Sequence, residues 1–215
     1  MTAETIVLPV ASDQIAGDLR VPVNAMGLVV FAHGSGSSRF STRNRAVATV
    51  LEERQLGTLL VDLLTSEEER IDARTAEYRF DIPRLGGRVV QACDWLRSRS
   101  DLATLPVGTF GASTGAAAAL IAAAARPDHV RAVVSRGGRP DLAGDALSIV
   151  KAPTLLIVGE RDYEVIALNR AAMSRMHAPA KLEIVPGATH LFEEPGTLSI
   201  AATLAADWLV THLRA

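Results

Sequence analysis

The stretch VGTFGASTGAAAAL, Val107 to Leu120, sets a single serine, Ser113, between Gly111 and Gly115 where a β-branched run gives way to alanines. A serine hydroxyl becomes a nucleophile when a base takes its proton, and the base works best when a third group fixes its tautomer. A nucleophile presented on a sharp strand-to-helix turn needs small residues two positions before and after it, because a Cβ there would strike the neighbouring strand and helix. Gly111-Ala112-Ser113-Thr114-Gly115 meets that need. The turn also aims the first amides of the following helix at the serine, so the Thr114 amide is expected to receive developing negative charge. The plainer reading is a serine N-cap on an alanine-rich helix.

The partners of such a serine should lie downstream, each at the carboxyl end of a strand. APTLLIVGERDYEV supplies Asp162 just past one apolar run, and KLEIVPGATHLFEEPG supplies His190 past the next. The order Ser113, Asp162, His190 is the order in which this turn motif finds its acid and base on α/β sheets. Glu160, nearer the strand end, and Glu164, inside the next helical pattern, flank Asp162 as rival acids. His129 precedes a strand, His177 follows a helix and His212 sits in the last helix, so none of them is placed to serve as the base.

Positioning these groups requires a sheet. Strand-like segments recur at TIVLPV, IAGDLRV, GLVVFAH, GTLLVDLL, LPVGTFGAS, VRAVVSR, APTLLIVGE and KLEIVPGA. The first two suggest an antiparallel hairpin, and the later ones are near-continuous apolar runs, as strands covered on both faces require. Helical spacing covers residues 43–55, 83–99, 114–125, 163–176 and 197–213. Strand and helix alternate from Gly27 onward, which predicts a mostly parallel sheet with helices on both faces. No composition break divides the chain, so residues 1–215 are expected to form one domain. The polar section TSEEERIDARTAEYRFDIPR is expected to be a surface loop. Its Tyr78, Arg79 and Asp81 either form a solvated face or line a site rim.

At the triad the sequence resembles the α/β-hydrolase family, and over nearly its whole length, from VVFAHGSGSSRF to GATHLFEEPG and the closing helix, it is similar to the small dienelactone-hydrolase-like branch. The resemblance implies an α/β-hydrolase fold with about eight strands. It also implies that the residue after His33-Gly34, Ser35, supplies a second oxyanion amide beside Thr114, with His33 holding the loop by hydrogen bonds. Only GGRPDLAGDALSIVK separates two strands where many relatives insert a lid, so no cap domain is expected. The best-known dienelactone hydrolases carry a cysteine nucleophile; the serine at position 113 shifts the expectation to ordinary carboxylic esters of small or medium size. His190 then acts as base and acid, Asp162 stabilises the imidazolium, and neither metal nor organic cofactor is required. The same site could pass the acyl group to an alcohol, a thiol or peroxide, which keeps acyltransferase, thioesterase and perhydrolase readings open. A non-catalytic module that retains the fold is the reading from another class.

Composition bounds the partners. The chain is 48% hydrophobic with a formal charge of −2, so no broad basic field gathers nucleic acid or a membrane surface. Its N-terminus lacks the pattern of a signal peptide and the single Cys93 cannot form an internal disulfide, which together point to the cytoplasm. Cys93 lies in RVVQACDWL, whose spacing places it in a helix core. Arg136 and Arg139 in one loop and Arg39, Arg43 and Arg45 in another should emerge near the serine. Part of this group could grip a substrate carboxylate or phosphate, or all of it could form surface ion pairs. Nothing in the sequence selects a homodimer over a monomer.

Overall fold

The structure, a computed structural model, describes residues 1–11 and 13–214. Eight strands form one sheet: β1 (Thr2–Val10), β2 (Asp13–Val21), β3 (Gly27–Ala32), β4 (Leu56–Val61), β5 (Val107–Ala112), β6 (Val130–Arg136), β7 (Thr154–Gly159) and β8 (Ala180–Val185). Their spatial order is β1-β2-β4-β3-β5-β6-β7-β8. β1 and β2 are antiparallel to each other and β2 runs antiparallel to β4, whereas every pairing from β4 through β3 to β8 is parallel. The sheet is thus mixed and mostly parallel.

Seven helices connect or follow the strands: α1 (Thr42–Glu53), α2 (Ser66–Thr75), α3 (Ile82–Ser98), α4 (Gly115–Ala125), α5 (Ala146–Ile149), α6 (Tyr163–Met173) and α7 (Thr197–Leu213). Alternation along the strands decides which side each residue feeds. In β3, Leu28, Val30 and Ala32 join the core under α3 and α4, while Val29 and Phe31 join the core under α1 and α7. Both faces are therefore covered, which is why the inner strands β3, β4, β5 and β7 are buried along their whole length and mostly apolar. β1 differs because one of its faces meets solvent: Ile6, Leu8 and Val10 are buried and the residues between them are exposed.

Helix α4 is apolar all round, and eight of its eleven residues are buried between α3 and the sheet. Cys93 packs in the same core, where burial pushes its thiol up to about 12. A thiol held there is a packing group, not a nucleophile. Between β6 and β7 the described chain has only a 3-10 turn, Pro140–Ala143, and the one-turn α5, so no cap covers the carboxyl ends of the strands.

One expectation fails. The acidic section after β4 is not a bare loop, because Ser66–Thr75 forms α2. Thr65 and Glu68 make a reciprocal capping box, with Glu67, Glu68 and Glu69 in the first turn, and Ala76 ends the helix in the left-handed region at φ 55°. Carboxylates at the positive end of the helix dipole, together with the capping box, stabilise a helix that buries almost nothing apolar. Tyr78 and Asp81 are not rim groups of the site. Asp81 caps α3 and pairs with Arg84, whose guanidinium stacks over the Tyr78 ring.

Candidate active site

Ser113 follows β5 directly and stands at φ 51°, a left-handed conformation that a non-glycine residue adopts at a cost of about 1–3 kcal/mol. Close packing holds it there. A Cβ on Gly111 would sit 2.4 Å from the Ala116 Cα, and one on Gly115 would sit 2.3 Å from the carbonyl oxygen of Ala32. The segment after β6 clamps the turn from the other side: the Ser113 amide donates to the Arg136 carbonyl at 3.2 Å, and the Arg139 amide donates to the Ser113 carbonyl at 3.0 Å. The strain is thus built in by the surrounding strands.

His190 and Asp162 come from the loops after β8 and β7. The His190 Nδ1–H donates to Asp162 Oδ2 at 2.6 Å, which leaves Nε2 as the free ring nitrogen. The two loops are tied together, because the Gly187 amide donates to Glu160 Oε2 at 2.7 Å. Glu194 steadies the far side by accepting from the Thr189 amide at 3.1 Å, and bonding with Thr189 holds the Glu194 carboxyl below its usual value. Glu160, weighed in the sequence as a rival acid, is therefore a brace. Ser113 and His190 line one cavity of about 240 Å³ with Ser35, Ser37, Ser41, Arg43, Asn44, Arg136 and Leu191 among its walls. Among the described residues no hydrogen bond joins Ser113 to His190, and catalytic bonds of this kind commonly tighten only around substrate.

The loop after β3 closes the other wall. His33 is buried, and both its nitrogens are committed: Nε2 accepts from the Leu63 amide at 3.0 Å, so Nδ1 carries the proton and donates to the Gly34 carbonyl at 2.9 Å. His33 does not line the Ser113 cavity and holds the loop instead. Burial keeps its pKa below the usual histidine value of 6.5, and the same cause lowers His129 and His212. In the unfolded chain these rings take up protons near pH 6.5 while the folded protein resists, so stability is full above that value and declines as pH falls below it toward the folded pKa values. The melting temperature should drop between about pH 7.5 and about pH 5.5, and NMR titration should place His33 below 6.5. A Tm that is flat or rises on acidification would contradict this.

The two expected oxyanion amides are in different states. The Thr114 amide has no acceptor among the described residues. The Ser35 amide is not open, because it donates to the Thr114 hydroxyl at 2.9 Å. Thr114, at the start of α4 beside Ser113, reaches across the narrow gap with its own side chain. Ser35 can reach a substrate oxygen only by leaving that hydroxyl.

Of the arginines expected near the site, three are committed elsewhere. Arg39 pairs with Asp62 and with Asp18 and stacks on Phe40, and Arg139 makes a forked pair with Asp141 at 2.9 and 2.8 Å. Arg45 pairs with Asp18 at 2.9 Å. Arg43 and Arg136 do line the cavity, and so does Asn44, which the sequence reading missed. Only the N-cap at Ser41 hinted that the first turn of α1 would face the serine. On the other side of the 33–38 loop a second cavity of about 160 Å³ is lined by Asp62, Glu69, Asp72 and Arg79.

A family model described as the dienelactone hydrolase family matches residues 44–210. The crystal structure of a dienelactone hydrolase from Anabaena variabilis superposes with a TM-score of 0.97 at 55% identity over 99% of both chains. Est1E from Butyrivibrio proteoclasticus shares the fold, with a TM-score of 0.80 at 15% identity over 97% of this chain and 98% of its own. Relatives from two strains of Mycobacterium tuberculosis, each named "Putative phosphoribosyl transferase", are 59% identical over 199 residues. That match covers 93% of this chain but 44% of theirs, so the chain spans less than half the length of those relatives.

Proposed function

The chain belongs to the dienelactone hydrolase family, a family of α/β hydrolases, and we propose that it cleaves carboxylic esters of small or medium size through an acyl-enzyme on Ser113. The observation that carries this reading is the shared cavity: it is lined by a serine held in a strained turn and a histidine whose far nitrogen is bound to a half-buried carboxylate. As substrate excludes water, His190 Nε2 takes the Ser113 proton and Oγ attacks the carbonyl carbon. The Thr114 amide receives the oxyanion, joined by the Ser35 amide once it releases the Thr114 hydroxyl. One such donor is worth about 3 kcal/mol of barrier. The imidazolium, stabilised by Asp162, then protonates the leaving alcohol. A water deprotonated by the same ring releases the acid. A cavity of about 240 Å³ without a cap suits short acyl groups better than long ones.

The test is burst kinetics on p-nitrophenyl esters from acetate to octanoate. The expected result is a burst of about one equivalent of nitrophenol per chain, followed by slower turnover that falls toward octanoate. Folded protein that releases no nitrophenol above background from any ester would overturn the esterase reading.

A further inference from the structure

Among the described residues a buried arginine without a counter-ion stands in the catalytic cavity. Arg136, at the end of β6, is 7% exposed, and its guanidinium carbon lies 6.0 Å from the centre of the Phe110 ring and 5.8 Å from that of Phe192. Nη2 donates to Asn44 Oδ1 at 3.3 Å, while Nε and Nη1 are sealed from solvent with no acceptor. Burial and the nearby Arg43 bring its pKa down to about 10, which still leaves it protonated at neutral pH. A buried cation without an anion is costly, and two aromatic faces offset only part of that cost. The structure keeps the charge there all the same.

The rest of the cavity offers donors. Asn44 spends its oxygen on Arg136, which leaves its amide nitrogen to donate, and Ser41 accepts from the Asn44 backbone, which leaves its hydroxyl proton to donate. Ser37 adds a hydroxyl and Arg43 a guanidinium, whose Nη1 also meets Glu193 Oε1 at 3.5 Å outside the cavity wall, and the N-terminus of the twelve-residue α1 lies at the same wall. No carboxylate lines this cavity among the described residues, whereas Asp62, Glu69 and Asp72 line the one across the loop. Fixed positive charge and hydroxyl, amide and guanidinium donors therefore converge beside Ser113.

We propose that this cavity seats a phosphate group carried by the ester substrate, with Arg136 as its anchor. A phosphate monoester brings a charge near −2 and three terminal oxygens, which match two guanidinium groups and several neutral donors better than the two oxygens of a carboxylate do. The phosphate is a handle and stays on its own carbon. The bond that breaks is the acyl carbon–oxygen bond a few atoms away, as in the hydrolysis proposed above, on which this inference rests.

Inorganic phosphate is the probe, used beside acetate and glutarate at equal ionic strength. Phosphate should raise the melting temperature of the wild-type protein and raise the apparent KM for p-nitrophenyl acetate without lowering kcat, at concentrations where the two carboxylates do neither. In Arg136→Met both effects should weaken at least ten-fold, and in Arg136→Lys, which keeps the charge and loses the fork, at least three-fold. The lysine variant carries the test should the methionine variant not fold. Phosphate acting no better than the carboxylates on the wild type, or equally well on a folded variant, overturns the subsite. The melting shift needs no turnover, so a protein that binds phosphate but cleaves no ester would refute the esterase reading alone. A protein that cleaves esters and ignores phosphate would refute the subsite alone.

Discussion

Ser113→Ala is expected to lower kcat on any p-nitrophenyl ester the wild type accepts by roughly 10⁴- to 10⁶-fold, the range seen when a catalytic serine is removed and only binding and oxyanion contacts remain. The fold should be untouched. Alanine keeps a Cβ at φ 51°, so the strain of the turn persists and the melting temperature should stay close to that of the wild type. Ser113→Gly makes the distinction sharper. Glycine adopts this conformation freely, so that variant should be equally inactive and more stable than the alanine one by about 1 kcal/mol. Kinetics and melting curves on the three proteins check both halves. An alanine variant within ten-fold of wild-type activity would remove Ser113 from the chemistry, and a glycine variant no more stable than alanine would show that the turn holds no strain.

Gly115→Ala should have the largest effect on stability. The new Cβ would lie 2.3 Å from the Ala32 carbonyl oxygen and 2.5 Å from that of His33, and both are backbone atoms that no rotamer change can move aside. Either β3 and the loop after it shift away from α4, or the nucleophile turn opens. Overpacking costs about 1–3 kcal/mol where side chains can adjust, and here the loss should reach at least the top of that range. For a chain of this size about 3 kcal/mol corresponds to a Tm lower by roughly 6–12 °C. Activity should fall with it, because the loop after β3 carries the Ser35 amide proposed as an oxyanion donor. Differential scanning calorimetry against Gly87→Ala, where a Cβ meets nothing within 4 Å, separates the close approach from the general effect of replacing a helical glycine. Equal melting points for the two variants would contradict the packing argument.

Much of this was legible in the sequence because it follows from local rules. Near-continuous apolar runs in register with helical spacing place Ser113, Asp162 and His190 at one end of the sheet, and the observed α3 and α6 begin within one residue of where that spacing puts them. The helix α2 was not legible by the same rule. It has no apolar stripe, Asp72 is its one buried residue, and it forms because Thr65 and Glu68 close a capping box, a signal only four residues long. The fate of the arginines lay further out of reach. Arg39 meets Asp62 across 23 residues of sequence and Arg136 meets Asn44 across 92, so which cation is neutralised and which is left bare depends on how β4, β6 and α1 assemble. The bond from the Ser35 amide to the Thr114 hydroxyl spans 79 residues and was hidden for the same reason.

On the proposed mechanism Ser113 is a nucleophile activated by His190. The most direct measurement is intact-protein and peptide mass spectrometry after brief exposure of folded protein to a fluorophosphonate, run beside His190→Ala. One adduct per chain is expected, confined to the peptide bearing Ser113, with labelling slowed by orders of magnitude without the histidine. Folded wild-type protein that takes up no adduct, or that carries it on another residue, would contradict it.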